Sequence, residues 1–207
     1  MSIVAISGSP SGNSRSAALL RHVVARFADG SACSEIVLRD LPPAALVRAD
    51  FADPAVRAAC AQVAAARLVI IATPIYKAAY SGVLKAFLDL LPQDGLRGKT
   101  VLALGTGDSI GHLLALDYAL KAVLGALGSS HLLDAVYAED SQFSRDEHAG
   151  YIVAPGVLVR LRNALRPLRS SGSHPPLATG ERALPLPVEV LVRPAWLRSG
   201  VSASFAW

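Results

Sequence analysis

Ile3-Val4-Ala5-Ile6-Ser7-Gly8-Ser9-Pro10-Ser11-Gly12-Asn13-Ser14-Arg15 is the stretch on which the fold of this chain turns. Ile3 to Ile6 is too short an apolar run for a helix and fits a strand buried on both faces. Ser7 to Ser14 are all turn or capping residues. Helical spacing then begins, with Ala17, Leu20 and Val24 on one stripe. Strand, small-residue loop and helix together present backbone N–H groups and the positive end of a helix dipole, the arrangement that receives a phosphate. The hydroxyls of Ser9, Ser14 and Ser16 can donate to phosphate oxygens, and Arg15 can neutralise part of the charge.

The loop lacks the Gly-Lys-Ser/Thr ending of a nucleoside triphosphatase loop. It also lacks the GxGxxG order of a dinucleotide fold. What remains is a lone terminal phosphate of the kind flavin mononucleotide carries. Taken by itself, the stretch is equally an ordinary βα turn with a capped helix.

Composition narrows the field. At 207 residues the chain reads as one domain, with room for a three-layer core. Hydrophobic content is 52%, yet no apolar run approaches the ~18–20 residues that span a bilayer. No basic region precedes the first apolar run, so a secretory signal is not expected. Cys33 and Cys60 have neither metal nor redox spacing, and a reduced, cytoplasmic setting is the expectation. The net charge of +4 is unevenly spread: residues 1–159 carry thirteen basic and fourteen acidic side chains, residues 160–207 seven Arg against Glu181 and Glu189. A basic groove built into the domain, and hence a nucleic-acid partner, is not expected.

Along the chain, strands and helices alternate. After the first helix, Ser34 to Leu38 reads as a strand, 44–53 as a connecting loop, and Pro54 as the opening of an Ala-rich helix. Leu68 to Ala72 is apolar throughout and so central, and ends in a loop, Thr73 to Gly82. A helix from Val83 to Leu91 leads to a strand, Lys99 to Leu104, and a second small-residue loop, Gly105 to Gly111. A long helix from His112 to Leu127, a fifth strand from Leu132 to Ala138 and a closing helix from about Gly156 complete the pattern; Pro167 should stop that helix. The expected fold is α/β: a flavodoxin-like three-layer sandwich around a five-stranded parallel sheet of order 2-1-3-4-5. Ligands of such sheets sit beyond the C-terminal ends of the strands. The furnished loops after strands one, three and four share that edge, which favours a phosphate-tethered planar cofactor over an unliganded domain.

Three stretches then carry a family likeness: SGSP at 7–10 with SRS at 14–16, TPIYKAAYSGVLKAFLDLLP at 73–92, and GHLLALDYALKAVLGALG at 111–128. Together they resemble the NADPH-dependent FMN reductases, and within them the reductase component of two-component alkanesulfonate monooxygenase systems of sulfur assimilation. The likeness covers Ser2 to Phe143. It implies that Ser9, Ser14, Arg15 and Ser16 hold the FMN phosphate, that Pro74, Ile75, Tyr76 and Lys77 lie along the isoalloxazine, and that Thr106, Gly107 and Asp108 approach its pyrimidine end. It implies FMN and NADPH as the reacting pair, an FMNH2-dependent monooxygenase as partner, and a homotetramer (or a dimer) with Tyr118 in a π-bulge at the interface. Asp108 stands where the family pattern has a small neutral residue, and its charge bears on flavin affinity or potential. Beyond Pro155 the likeness fades. The domain is expected to span 1–168, and the Pro-, Gly-, Ser- and Arg-rich 169–207 to be a disordered tail.

In this reading hydride passes between two cofactors, so no catalytic side chain is required. The sequence offers no Ser-His-Asp set and no clustered metal ligands. Lys77 is either a partner for NADPH phosphate or a solvated loop lysine. Of the five histidines only His112, beside the loop after the fourth strand, falls near the expected ligand edge. Two other readings keep the same fold: an FMN-retaining quinone or azo reductase, and a flavodoxin-type electron carrier. Carriers of that type dock through acidic surfaces, and the near-neutral body argues against one.

Overall fold

The computed structural model describes residues 2–27, 33–146 and 150–170. Five segments form the body of a parallel sheet: β1 (Ile3–Ser7), β2 (Cys33–Val37), β3 (Leu68–Tyr76), β5 (Thr100–Gly107), and a fifth position shared by β6 (His131–Leu132) and β7 (Val136–Glu139). Their order is β2-β1-β3-β5, with β6 and β7 both along the far edge of β5. This is the flavodoxin-like order expected from the alternation of elements. The parallel register places Ser7 beside Ala72, Pro74 beside Thr106, and Gly107 beside Glu139. The strand ends that carry the furnished loops therefore meet at one edge.

Because β1, β3 and β5 are buried on both faces, alternate side chains feed two cores. Val4, Ile6, Val69, Ile71, Val101 and Ala103 point to one, Ile3, Ala5, Leu68, Ile70, Leu102 and Leu104 to the other. The first core is covered by α2 (Pro43–Arg48), α3 (Pro54–Ala65), α4 (Gly82–Leu88) and the segment Ala115–Ala126, through Leu46, Val56, Val63, Phe87, Leu116 and Leu124. The second is covered by α1 (Arg15–Phe27) and α6 (Pro155–Ala164), through Leu19, Leu20, Val23, Val157 and Leu161. Asp53 caps α3 by accepting from the Ala55 and Val56 N–H groups at 2.8 and 3.1 Å, with Pro54 at the first helical position.

Several local expectations are corrected. The expected loop over 44–53 contains α2, also opened by a proline at its first position and closed by Ala49 in the left-handed region at φ 51°. The expected loop after Ala72 is strand as far as Tyr76, which turns back through Lys77 and Ala78 to the short antiparallel β4 (Ala79–Tyr80). Lys77 and Ala78 have φ of 50° and 60°. That is the type I′ geometry matched to strand twist, built here without the usual Asn or Gly. The long helix expected over 112–127 is divided into a 3₁₀ turn (Ile110–His112), a π-helical segment (Ala115–Leu120) and α5 (Lys121–Ala126). Tyr118 lies inside the π-helical segment.

The fifth strand is interrupted at 133–135. A second sheet, the hairpin of β8 (Phe143–Asp146) and β9 (Gly150–Val153), was not anticipated. Pro167 does not end helical structure: α6 stops at Ala164, and α7 (Arg166–Ser170) starts just before the proline, where its missing N–H costs nothing. Of the expected tail 169–207, all but the last helical residues of α7 lies outside the described residues.

Candidate functional site

The sheet edge opens into a cleft of about 540 Å³ lined by Ser11, Asn13, Ser14, Arg15, Pro74, Ile75, Tyr76, Lys77, Thr106, Gly107, Asp108, His112 and Asp140. That volume suits a small-molecule or cofactor site. Four strand ends supply it, those of β1, β3, β5 and β7. The first loop is pinned from below: the Gly8 N–H donates to the Ala72 carbonyl at 2.7 Å, and the Ser81 hydroxyl donates to the Gly8 carbonyl. A Cβ on Gly8 would stand 3.0 Å from that Ala72 oxygen, so only glycine lets the two strand ends approach this closely. Ser81 also caps α4, accepting from the Leu84 N–H at 3.3 Å, and its own N–H donates to Thr73 Oγ1 at 3.0 Å. Thr73 and Ser81 are buried, so this polar network is satisfied within the protein.

The loop hydroxyls divide. Ser14 lines the cleft and caps α1, its Oγ accepting from the Ala17 N–H at 3.4 Å. Ser16 is fully buried and shares a 2.8 Å hydrogen bond with Ser14. Ser9 is buried as well, and its hydroxyl accepts from the Ser11 N–H at 3.1 Å. Ser9 and Ser16 therefore shape the loop from behind and are not among the cleft-lining residues. Arg39, in the middle of the 3₁₀ turn Leu38–Asp40 after β2, donates to the Ser11 carbonyl at 3.0 Å and braces the same loop from outside.

On the opposite wall, Gly107 sits where a Cβ would come within 2.7 Å of the Tyr137 hydroxyl and 3.1 Å of His112 Nδ1. Tyr137 donates to the Ser109 carbonyl at 2.7 Å and fixes the loop after β5. Its hydroxyl is pushed up to about 12, chiefly by burial, with a further rise from the carboxylates of Asp108, Glu139 and Asp140, against the lowering effect of the Ser109 bond. Asp108 Oδ1 lies 3.0 Å from His112 Nδ1, an ion pair whenever the imidazole is protonated. Asp108 itself is largely exposed, 78% of its side chain being open to solvent.

Nine of the eleven expected cofactor contacts, Ser14, Arg15, Pro74 to Lys77 and Thr106 to Asp108, thus come together on one cleft. Asp140 was not anticipated. It pairs with Arg15 at 3.2 Å, and a carboxylate facing an expected anion site has no signature in sequence. Tyr151 was missed for the same reason as the hairpin that carries it; its ring lies 5.3 Å from the Arg15 guanidinium. Arg15 Nε is buried and has no partner among the described residues. A buried donor left open at the mouth of a helix N-terminus suits an anionic ligand. Among the described residues, no group of His, Cys, Asp and Glu is arranged to hold a metal ion, and no helix is long and apolar enough to cross a membrane.

Sheet order and cleft define a flavodoxin-like α/β protein with a Ser-rich loop and a ligand-sized cleft at the carboxyl edge of its strands. Residues 1–144 match the family described as NADPH-dependent FMN reductase, and the chain belongs to that family. An FMN reductase (NADPH) of Escherichia coli (strain K12) is 44% identical over 168 residues, covering 80% of this chain and 86% of that one. A second, from Pseudomonas putida (strain KT2440), is 45% identical over 148 residues, covering 71% and 75%. Among solved structures, the apo form of an NADH:FMN oxidoreductase is 43% identical, superposes with a TM-score of 0.74 and covers 84% of this chain and 91% of its own.

Proposed function

We propose that this chain reduces FMN at the expense of NADPH and releases the reduced flavin to a monooxygenase, such as one acting on alkanesulfonates. The observation that carries this reading is the single cleft that joins a Ser/Arg phosphate loop to the flat backbone of Pro74–Tyr76 and the small residues Thr106 and Gly107. In it Ser14, Arg15 and the first amides of α1 hold the phosphate, with Ser9 and Ser16 acting through the shape of the loop. Pro74 to Lys77 border one side of the ring system, and Thr106 to Asp108 its pyrimidine end. FMN supplies a hydride acceptor to the nicotinamide when the two rings stack. The protein contributes alignment and water exclusion, and no side chain is needed to carry a proton in that transfer.

Assembly into a homotetramer, or a dimer, in the cytoplasm completes the proposal. It is supported by Ile110, Leu114 and Tyr118, which recur at intervals of four along the divided helix and are 65%, 55% and 78% exposed. Large apolar side chains grouped in this way mark an association surface. The names of the relatives cite NADPH in two cases and NADH in the third, so both nucleotides belong in the assay.

The test is anaerobic NADPH oxidation by flavin-stripped protein with FMN titrated in. Many turnovers, saturating in FMN, are expected. A single equivalent followed by a halt would indicate a retained cofactor and another acceptor. No oxidation with either nucleotide would remove the reductase reading.

A further inference from the structure

Arg15, the cation of the phosphate loop, enters the cleft with its guanidinium already engaged. Nη1 lies 3.2 Å from Asp140 Oδ2, and the Tyr151 ring sits 5.3 Å from the guanidinium carbon. That ring is held edge-on by Phe143, at 6.2 Å between centroids and 81° between planes. The backbone around Asp140 is fixed as well. Glu139 and Gln142 form a reciprocal capping box around the 3₁₀ turn Asp140–Gln142, and Arg160 donates at 2.9 Å to both the Gln142 side chain and the Tyr137 carbonyl. The turn thus holds the Asp140 backbone beside Arg15. Nε is buried and has no partner among the described residues, so this donor of Arg15 is uncommitted. A carboxylate therefore stands beside the phosphate loop in the wall of the cleft, and it occupies part of the Arg15 charge that would attract an anion there.

We propose that Asp140 is an affinity-limiting residue: its carboxylate competes with the ligand phosphate for Arg15 while Tyr151 keeps the guanidinium within reach of both. The inference rests on the FMN reading of the cleft and extends it, because it says what makes the flavin a substrate that leaves. Like charges facing one another raise the free energy of the bound state and leave the empty site satisfied. The brake acts only on the phosphate end of the ligand. Riboflavin, which has the ring and ribityl chain without the phosphate, does not feel it.

The test measures dissociation constants of FMN and riboflavin by flavin fluorescence quenching, on the full chain, for the wild type and for Asp140→Asn. Asp140→Ser serves as a second variant, and circular dichroism melts check that each is folded. FMN binding is expected to tighten about two- to fivefold in both variants, the range for a partly exposed ion pair. Riboflavin binding is expected to stay unchanged, and the FMN gain to shrink as salt is raised. In Arg15→Met the further change Asp140→Asn should give a much smaller gain, limited to the direct repulsion between carboxylate and phosphate. Weaker or unchanged FMN binding in folded Asp140→Asn would overturn the proposal and make Asp140 a support for Arg15. A wild-type chain that binds neither flavin would instead overturn the cleft reading on which it rests.

Discussion

The floor of the cleft and its rim are built on opposite terms. The floor is Gly8, Thr73 and Ser81, buried and joined by a closed set of hydrogen bonds that tie the end of β1 to the end of β3. The rim is Lys77 and Ala78 in left-handed backbone, a half-exposed Tyr76, and an Asp108 carboxylate that is mostly in water. Floor residues spend their polar groups on the fold and leave little for a ligand. Rim residues do the reverse, and two of them tolerate a backbone that costs about 1–2 kcal/mol per residue. Substitutions in the floor should therefore cost stability, and those in the rim should cost none and can change affinity.

The hardest test of that division is Ser81→Ala. It strands the Gly8 carbonyl in a buried setting and removes the side-chain cap of α4, leaving the Leu84 N–H only its 3.1 Å bond to the Ser81 carbonyl, and a loss of about 2–3 kcal/mol is expected. In a chain of this size that lowers the melting temperature by roughly 5–10 °C. A melt within a degree of wild type would erase the distinction between floor and rim. Tyr137→Phe is next. Near neutral pH it removes the bond to Ser109, about 1 kcal/mol. Its pH dependence is more telling. With the hydroxyl pushed up to about 12 from an unfolded value of ~10, the folded state favours the neutral phenol. That contribution is complete below pH ~10 and is lost as pH rises towards 12. Alkaline denaturation of the Phe variant should lack this part of the decline, and parallel curves would show that the phenol is not held as described.

At the rim the signs reverse. Ala78→Gly relieves a positive φ and should stabilise by about 0.5–1 kcal/mol, seen as a rise in the denaturant midpoint. A fall would mean that the turn is held by contacts of the Ala78 side chain. The smallest effect on the fold is expected from Asp108→Gly, which should leave the melt within a degree of wild type. FMN affinity, read by fluorescence, should tighten about two- to fivefold as an exposed carboxylate is removed. A stability change larger than its binding change would move Asp108 from rim to floor.

The buried strands were legible because a strand covered on both faces is an uninterrupted apolar run, as Ile3–Ile6 and Leu68–Ala72 are. The small-residue loops were legible for the complementary reason that nothing but close approach or a ligand explains so many of them at one sheet edge. The hairpin at Tyr76–Ala79 was not, since Lys-Ala is no turn signature and its left-handed backbone is imposed by the strands on either side. Apolar spacing along 113–124 satisfies a regular helix equally well, so the division of the helix after His112 could not be read from it; the π-helical turn at Tyr118 was legible through the family likeness alone. Residues of the site were found where family likeness and residue type agreed, at Arg15 and Thr106–Gly107. They were missed where one residue acts on another across the fold, as Asp140 and Tyr151 do on Arg15.

The two faces of the sheet are finished at different moments of the chain's synthesis. Nearly everything that covers the first core, from α2 to α5, has been made by Ala126. The other face has only α1 until Val157, Leu161 and Leu165 of the last helical stretch arrive to cover Leu102, Leu104, Val136 and Ala138. Until then a ribosome-bound chain carries a half-dressed sheet, an apolar surface of the kind that nascent chains hide with chaperones or lose to aggregation. Premature stops just before α6 should therefore be far more harmful than their distance from the cleft implies.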